Sequence, residues 1–349
     1  MEISVPTLLR IKPNALFKIG KYLRKENFRT IALFWGEGIK DLFGSQLTIS
    51  LESSEIAVRY EENVTSCELE TILKKAFSLP DKIDAIVAVG GGKVIDSSKY
   101  IAFLLQLPVI AIPTSVSNDG FASPGASLYV SGKRRSLKAR IPYGVVIDTE
   151  IISKSPVDFT ISGIGDLISK YTAIQDWKLA WYAVQEPVND FAVLISKNAV
   201  ETMVHYNNKD INDLEFIRFI CGCLVMSGIA MEVSGSSRPA SGSEHLISHA
   251  YDMTASSPTL HGIQVGVATY AISAIQKNRD EATIRKVLDD TGFFTHVMKK
   301  PLNKGDFIKA IRLAPTIKSN YYTILSEKEN IESLVSFIEE DEICRQLIV

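Results

Sequence analysis

Only five histidines occur in 349 residues, and three of them, His245, His249 and His261, fall within "EHLISHAYDMTASSPTLH". The segment "EHLISHAYD" has a helical pattern, so His245 and His249, four residues apart, share one face. "SSPTLHG" reads as a loop leading into a further helix, "GIQVGVATYAISAI", with His261 at its start. Two imidazoles brought together from neighbouring helices suit a divalent metal that prefers nitrogen. A metal that does chemistry takes a third protein ligand and keeps a position open. Asp166, in the glycine-rich lead "SGIGD" into a helix, is the candidate. Histidines that merely pack or pair at a surface have the same spacing, so spacing alone leaves both readings open.

A second chemical signal is "AIVAVGGGKVIDSSKYIAFLL", in which a buried strand passes through Gly90, Gly91 and Gly92 into an amphipathic helix. Glycines let the backbone turn sharply and approach a ligand closely, and the first amides of the helix, which begins near Lys93, make an anion site that suits a diphosphate. A plain strand-to-helix turn has the same composition, and the spacing is not GxGxxG. Asp96 and Lys99 fit the surface or the site equally well. The next strand runs into "IPTSVSNDGFASP", whose Thr114, Ser115, Ser117, Ser123, Asn118 and Asp119 follow its carboxyl end. Open α/β sheets bind ligands there.

These segments need a scaffold. The first half of the chain alternates apolar strand-like runs, "TIALFWG", "DAIVAVGGG", "LPVIAIPT" and "GVVIDTE", with helical patterns, which predicts βαβ units and a parallel sheet. From about residue 151 the strand signals fade and long helical patterns take over, at 188–206 and 213–233 for instance. The expectation is an α/β dinucleotide-binding domain over 1–155 and an all-helical metal- and substrate-binding domain over 156–349, the length itself favouring two domains. The chain is 46% hydrophobic and 22% charged with a net charge of −2, which argues against nucleic acid as a partner. No apolar run is read as a membrane span, and the start "MEISVPTLLRIKPN" has no signal-peptide pattern. Cys67, Cys221, Cys223 and Cys344 have neither zinc-site nor disulfide-framework spacing, so a reducing cytoplasm is expected.

Together, "VGGGKVIDSSK", "IPTSVSNDGFASPGASLYVSGKRRSLKARIPYGVVIDTEII", "SGIGDLISKYTAIQDWKLA", "SRPASGSEHLISHAYD" and "LHGIQVGVA" resemble the glycerol-1-phosphate dehydrogenase branch of the metal-dependent polyol dehydrogenases. That superfamily also includes glycerol dehydrogenases, iron-containing alcohol dehydrogenases and 3-dehydroquinate synthases. The match runs from about residue 8 to the C-terminal helices. It implies a Rossmann-like α/β domain with a parallel sheet followed by an all-helical, dehydroquinate synthase-like domain. By the same resemblance Asp166, His245 and His261 are the metal ligands. Gly91, Gly92, Lys93, Val94 and Asp96 lie at the dinucleotide diphosphate and ribose, Thr114, Ser117 and Ser123 line the cofactor, and Asp119 and His249 face the substrate as catalytic groups. The cofactor is NAD or NADP. The metal is usually zinc, with nickel or iron in some members.

The implied reaction interconverts glycerol-1-phosphate and dihydroxyacetone phosphate by hydride transfer, in a homo-oligomer acting on a small polyol or polyol phosphate. A phosphorylated substrate needs cationic donors, and Arg238 and Lys170 are the candidates. Lys133, Arg134 and Arg135 in "SGKRRS" read as an exposed hairpin, and Glu37 after "TIALFWG" favours a free ribose 2′-hydroxyl, hence NAD. The competing readings are a glycerol dehydrogenase without phosphate recognition, a 3-dehydroquinate synthase-like lyase, and a non-catalytic nucleotide binder. The lyases look like "NxGH" before the first histidine, where this chain has "SGSEH".

Overall fold

A computed structural model describes residues 3–349, and the chain divides into two compact units. The first runs to Val116 and includes Gly120–Ser155; the second comprises Ser117–Asp119 and Pro156–Val349.

The first unit contains strands β1 (Leu8–Lys12), β2 (Thr30–Trp35), β3 (Ala57–Asn63), β4 (Ala85–Gly90), β5 (Val109–Pro113), β6 (Gly125–Val130), β7 (Lys133–Lys138) and β8 (Gly144–Asp148). Its helices are α1 (Ile19–Lys25), α2 (Ile39–Glu52), α3 (Leu69–Ser78), α4 (Gly92–Leu105) and α5 (Thr149–Ser153). Six strands form one parallel sheet in the order β1-β8-β5-β4-β2-β3, and β6 and β7 form a separate antiparallel hairpin. Every residue of β4, β5 and β8 is buried, which is why these strands read as unbroken apolar runs. The edge strands β1 and β3 were not foreseen. "AVRYEEN" of β3 is mostly exposed, so nothing in its composition had to be apolar.

The chain passes from β2 outward to β3, returns to β4, and then builds in the opposite direction through β5 to β8. The strand order therefore reverses between β2 and β4, and ligands of open α/β sheets bind at the carboxyl ends beside such a reversal. There the Gly36 N–H donates to Val89 O at 2.8 Å, so the turns after β2 and β4 lie together. Gly90 has φ +145°, and a Cβ on it would lie 2.8 Å from Val94 Cγ1 and 3.0 Å from Gly36 Cα. Only glycine fits that corner.

The second unit is helical: α6 (Val157–Ile168), α7 (Lys170–Val184), α8 (Asp190–His205), α9 (Leu214–Ser234), α10 (Ser243–Thr254), α11 (His261–Ile275), α12 (Glu281–Asp290), α13 (Phe293–Met298), α14 (Lys304–Leu313), α15 (Lys328–Glu340) and α16 (Cys344–Leu347). Helix α9, capped by the Asp213 carboxylate on the amides of Glu215 and Phe216, is long and apolar enough to cross a membrane by length and composition, contrary to the sequence expectation. It packs against α8 and α6, with 67% of its apolar window buried in this unit. Helices α6 and α11 approach so closely that glycine is required at the crossing. A Cβ on Gly262 would overlap the Ser162 carbonyl oxygen, and one on Gly165 would overlap the Gly262 oxygen.

Candidate active site

The α6–α11 crossing sets the geometry of the acid–histidine cluster. Asp166 follows Gly165 on α6, and His261 precedes Gly262 on α11. Helix α10, packed on α11, supplies His245 from its first turn. Asp166, His245 and His261 each offer one ligand atom, and these atoms all lie within 4.8 Å of one another. His245 Nε2 lies 3.2 Å from Asp166 Oδ1. Ring centroids are 5.1 Å apart for His245 and His261, and 5.4 Å for His249 and His261, which stack. All three sequence-predicted histidines therefore share one cluster with Asp166.

The surrounding polar network fixes which nitrogen each ring presents. His245 Nδ1 donates to Glu244 Oε1 at 2.8 Å and Nε2 lies 3.2 Å from Asp166 Oδ1; against the effect of burial, the two carboxylates raise the ring's pKa. Gln264 Nε2 donates to Asp252 and to Thr259 O, so its Oε1 accepts the Ser248 hydroxyl hydrogen at 2.7 Å. Ser248 Oγ then accepts from His261 Nδ1 at 2.8 Å, so Nε2 is the nitrogen that ring has for a metal. Two imidazole nitrogens, neutral once a metal takes them, and one carboxylate form a three-ligand set of the kind that binds a divalent ion and keeps a position open. The donor chemistry fits a metal.

Charge in this cluster is finely balanced. Burial raises the Asp166 carboxyl, but Lys170, His245 and His261 outweigh it and hold the group well below the usual carboxylate range. Asp119 goes the other way: burial and the neighbouring Asp166 push it up. Its Oδ2 accepts from Ser227 Oγ at 2.6 Å and from Lys170 Nζ at 3.2 Å, while its own N–H donates to Asp166 Oδ2 at 3.1 Å. Asp176, buried and accepting from Ser243 N, Ile324 N and Gln276 Nε2, is raised to about 6 by burial and by Glu244. Sequence reasoning missed Glu244, Ser248, Gln264 and Ser227. Their only local signal is polarity at positions that an amphipathic helix reserves for its core.

Two predicted phosphate donors are corrected by the structure. Arg238 is buried, with Nε and Nη2 on the Glu186 carboxylate, Nη1 on Tyr322 O at 2.8 Å, and its guanidinium 3.6 Å from the Tyr321 ring centroid. Its donors are engaged within the protein. Lys170 has no exposed surface, lying 3.4 Å from Asp166, 3.2 Å from Asp119 and 3.4 Å from Ala240 O, so it balances the cluster's own acids. Lys133, Arg134 and Arg135 do lie on an exposed hairpin strand.

In the first unit, Gly91 caps α4 with extended backbone, and a Cβ on Gly92 would meet nothing within 4 Å. The first amides of α4 have no carbonyl of a preceding turn to bond, and this bare corner can take an anionic group. Lys93 is exposed beside it, whereas Val94 packs its side chain into the core and presents only backbone. Thr114 is brought to the same corner, its N–H donating to Gly90 O at 3.1 Å. Asp96 pairs with buried Lys99 at 3.1 Å. Lys99 in turn bonds Gly120 O, Gly125 O and Ser123 O, and Ser123 Oγ lies 3.2 Å from Gly120 O, so this group braces the 120–125 loop. Ser117 falls in the second unit, where its carbonyl accepts from Ser162 Oγ at 2.8 Å. Exposed Glu37 occupies the turn after β2.

Comparison with known proteins agrees with this architecture. Residues 10–156 match the family model described as iron-containing alcohol dehydrogenase. A glycerol dehydrogenase from Schizosaccharomyces pombe has the same fold, with a TM-score of 0.76 at 19% identity over 96% of this chain and 90% of that one. The glycerol-1-phosphate dehydrogenase (NAD(P)+) of Methanosphaera stadtmanae is 34% identical over 86% of each chain. That of Methanothermobacter thermautotrophicus is 40% identical over 71% of this chain and 72% of its own. The fold class is thus that of the iron-containing alcohol dehydrogenases. Within it, the chain belongs to the glycerol-1-phosphate dehydrogenase family.

Proposed function

We propose that this protein is a metal-dependent, NAD(P)-linked dehydrogenase that interconverts glycerol-1-phosphate and dihydroxyacetone phosphate. The observation that carries the reading is the convergence of Asp166, His245 and His261 within 4.8 Å, with Nδ1 of each ring held by a neighbouring side chain, Glu244 for His245 and Ser248 for His261. These three residues hold the ion, zinc in this reading, with nickel or iron as the alternatives that elemental analysis distinguishes. Once bound, the ion supplies Lewis acidity that stabilises negative charge on the substrate's hydroxyl or carbonyl oxygen, while the nicotinamide gives or takes the hydride. Lys170 keeps Asp166 ionised and fixes Asp119. Half-buried His249, stacked on His261, moves the proton to and from the substrate oxygen. Asp119 is the substrate-facing acid of the same network. Gly91, Gly92 and Lys93 take the dinucleotide diphosphate, with Val94, Asp96, Thr114, Ser117 and Ser123 completing the cofactor contacts, and Glu37 favours NAD over NADP.

The reading also makes the chain a cytoplasmic homo-oligomer. Unpaired cysteines fit a reducing compartment, and Trp181, Tyr182, Val184, Phe191 and Leu194 expose an apolar surface where α7 gives way to α8. Light scattering that returns the mass of a monomer would remove the oligomer.

The test of function is metal analysis of the purified protein followed by NADH oxidation with dihydroxyacetone phosphate and with dihydroxyacetone. Charge-assisted hydrogen bonds are worth about 1.5–3 kcal/mol each, so several of them give a preference of at least ~10²-fold for the phosphorylated ketone. Equal kcat/KM for the two ketones would hand the protein to the glycerol dehydrogenase reading.

A further inference from the structure

A phosphorylated substrate needs a cation whose charge the protein has not already neutralised. Arg238 is neutralised by Glu186, and Lys170 by Asp119 and Asp166. Lys318 is different. Its ammonium donates to Ser237 Oγ at 3.0 Å and lies 4.4 Å from the Tyr321 ring centroid, and no carboxylate comes within ion-pair distance among the described residues. The side chain is half-buried, as are Ser237 and Tyr321.

Neighbouring features favour an anion here. Tyr321 lies under the Arg238 guanidinium, its hydroxyl donating to Ser241 O and standing 3.3 Å from Ser237 Oγ. Two positive charges thus gather around one ring, and among the described residues only that of Arg238 has a counter-ion. The segment from Ser237 to Ser243 leads directly into α10, whose first turn carries His245. Along it the buried hydroxyls of Ser241 and Ser243 have no hydrogen-bond partner among the described residues. The helix terminus itself is not the anion site, because the amides of Gly242 and Ser243 already donate to Glu244 and Asp176. Burial and the Arg238 charge push the Lys318 ammonium down to about 8 despite the opposing pull of Glu244, so the group gains by acquiring an anionic partner.

We propose that Lys318, with Ser237 Oγ beside it, receives the phosphate of the three-carbon substrate; the proposal rests on the dehydrogenase reading above. The experiment compares wild type with Lys318→Met and Lys318→Arg, using dihydroxyacetone phosphate, dihydroxyacetone, and inorganic phosphate as a competitive probe. In Lys318→Met the ratio of kcat/KM between the two ketones should fall by on the order of 10²-fold, carried mainly by KM, and phosphate inhibition should weaken at least about tenfold. Lys318→Arg keeps the charge and should retain part of the ratio. Metal content and melting temperature of each variant identify any that fail to fold, in which case Lys318→Arg and the phosphate titration decide. A wild-type ratio in Lys318→Met, or an equal loss on both ketones, overturns the proposal. A wild type that does not distinguish the ketones sinks the substrate reading instead. Phosphate binding then decides alone: weaker binding to Lys318→Met supports the anion site, and equal binding removes it.

Discussion

Gly262→Ala tests whether the α6–α11 crossing, and not the ligands alone, builds the metal site. By helix propensity the substitution should help, since alanine is favoured over glycine by up to about 1 kcal/mol inside a helix. The structure reverses that sign. The new Cβ would overlap the Ser162 carbonyl oxygen and stand 2.6 Å from its carbon and 2.7 Å from Ser162 Oγ, where ordinary contact begins at 3.4 Å. The obstacle is helix backbone, which cannot rotate away, so α11 must retreat from α6 by about 1 Å or more. His261 is the residue next to Gly262, and Asp166 lies one turn beyond Ser162. Metal–ligand distances tolerate only about 0.2 Å, so the retreat opens the ligand set as well as straining the core. Overpacking costs about 1–3 kcal/mol, more than propensity returns. We expect metal affinity, measured by chelator competition, to fall by about 10²-fold or more, as for other losses of ligand support. The melting temperature should drop by several degrees, and added metal should recover only part of it. Gly165→Ala should behave alike, since its Cβ would lie 2.8 Å from Phe293 Cε2 and overlap the Gly262 oxygen. Gly44→Ala on α2, whose Cβ meets only the flexible Lys40 side chain at 3.2 Å, is the control. Gly262→Ala with wild-type chelator competition and melting would refute the reasoning.

His245→Ala or His261→Ala should remove the bound metal and abolish turnover while the dinucleotide still binds; full metal occupancy with near-normal rates in either variant would dissolve the ligand assignment. His249→Ala should keep its metal but lose about 10²–10⁴-fold in kcat/KM, the usual cost of a missing acid–base group, whereas loss of metal would make His249 a ligand. Substrate discrimination should also depend on pH. Lys318 is charged below about 8, Tyr321 is raised to about 12 by burial and stays neutral there, and the substrate phosphate is a dianion above about 6. The kcat/KM ratio of dihydroxyacetone phosphate to dihydroxyacetone should therefore be high between pH 6 and 8 and decline above it; a flat ratio to pH 9.5 would count against Lys318.

Strands β4, β5 and β8 were legible in the sequence because both their faces are buried, so selection for apolar residues acts on every position. The helices anticipated over 188–206 and 213–233 appear as α8 and α9 with ends shifted by one or two residues. The turn at Gly90–Gly92 was legible too, because a left-handed corner leaves its mark in composition. Strands β1 and β3 were not: β3 is mostly exposed and β1 only partly buried, so neither edge obliges an unbroken apolar run. Contacts between distant residues also left no local mark. Spacing placed His245 and His249 on one face, but only the glycine crossing of α6 and α11 brings Asp166 to His261. Tertiary structure also decided which cations are available. Arg238 and Lys170 looked suited to a phosphate, yet Glu186, 52 residues before Arg238 in the chain, neutralises one, and Asp119, 51 residues before Lys170, neutralises the other. Lys318, in the unremarkable "TIKSNYY", has no carboxylate within ion-pair distance among the described residues. Sequence specifies how many charges a chain carries; which of them remain unpaired depends on what folding brings within a few ångströms, where an ion pair forms.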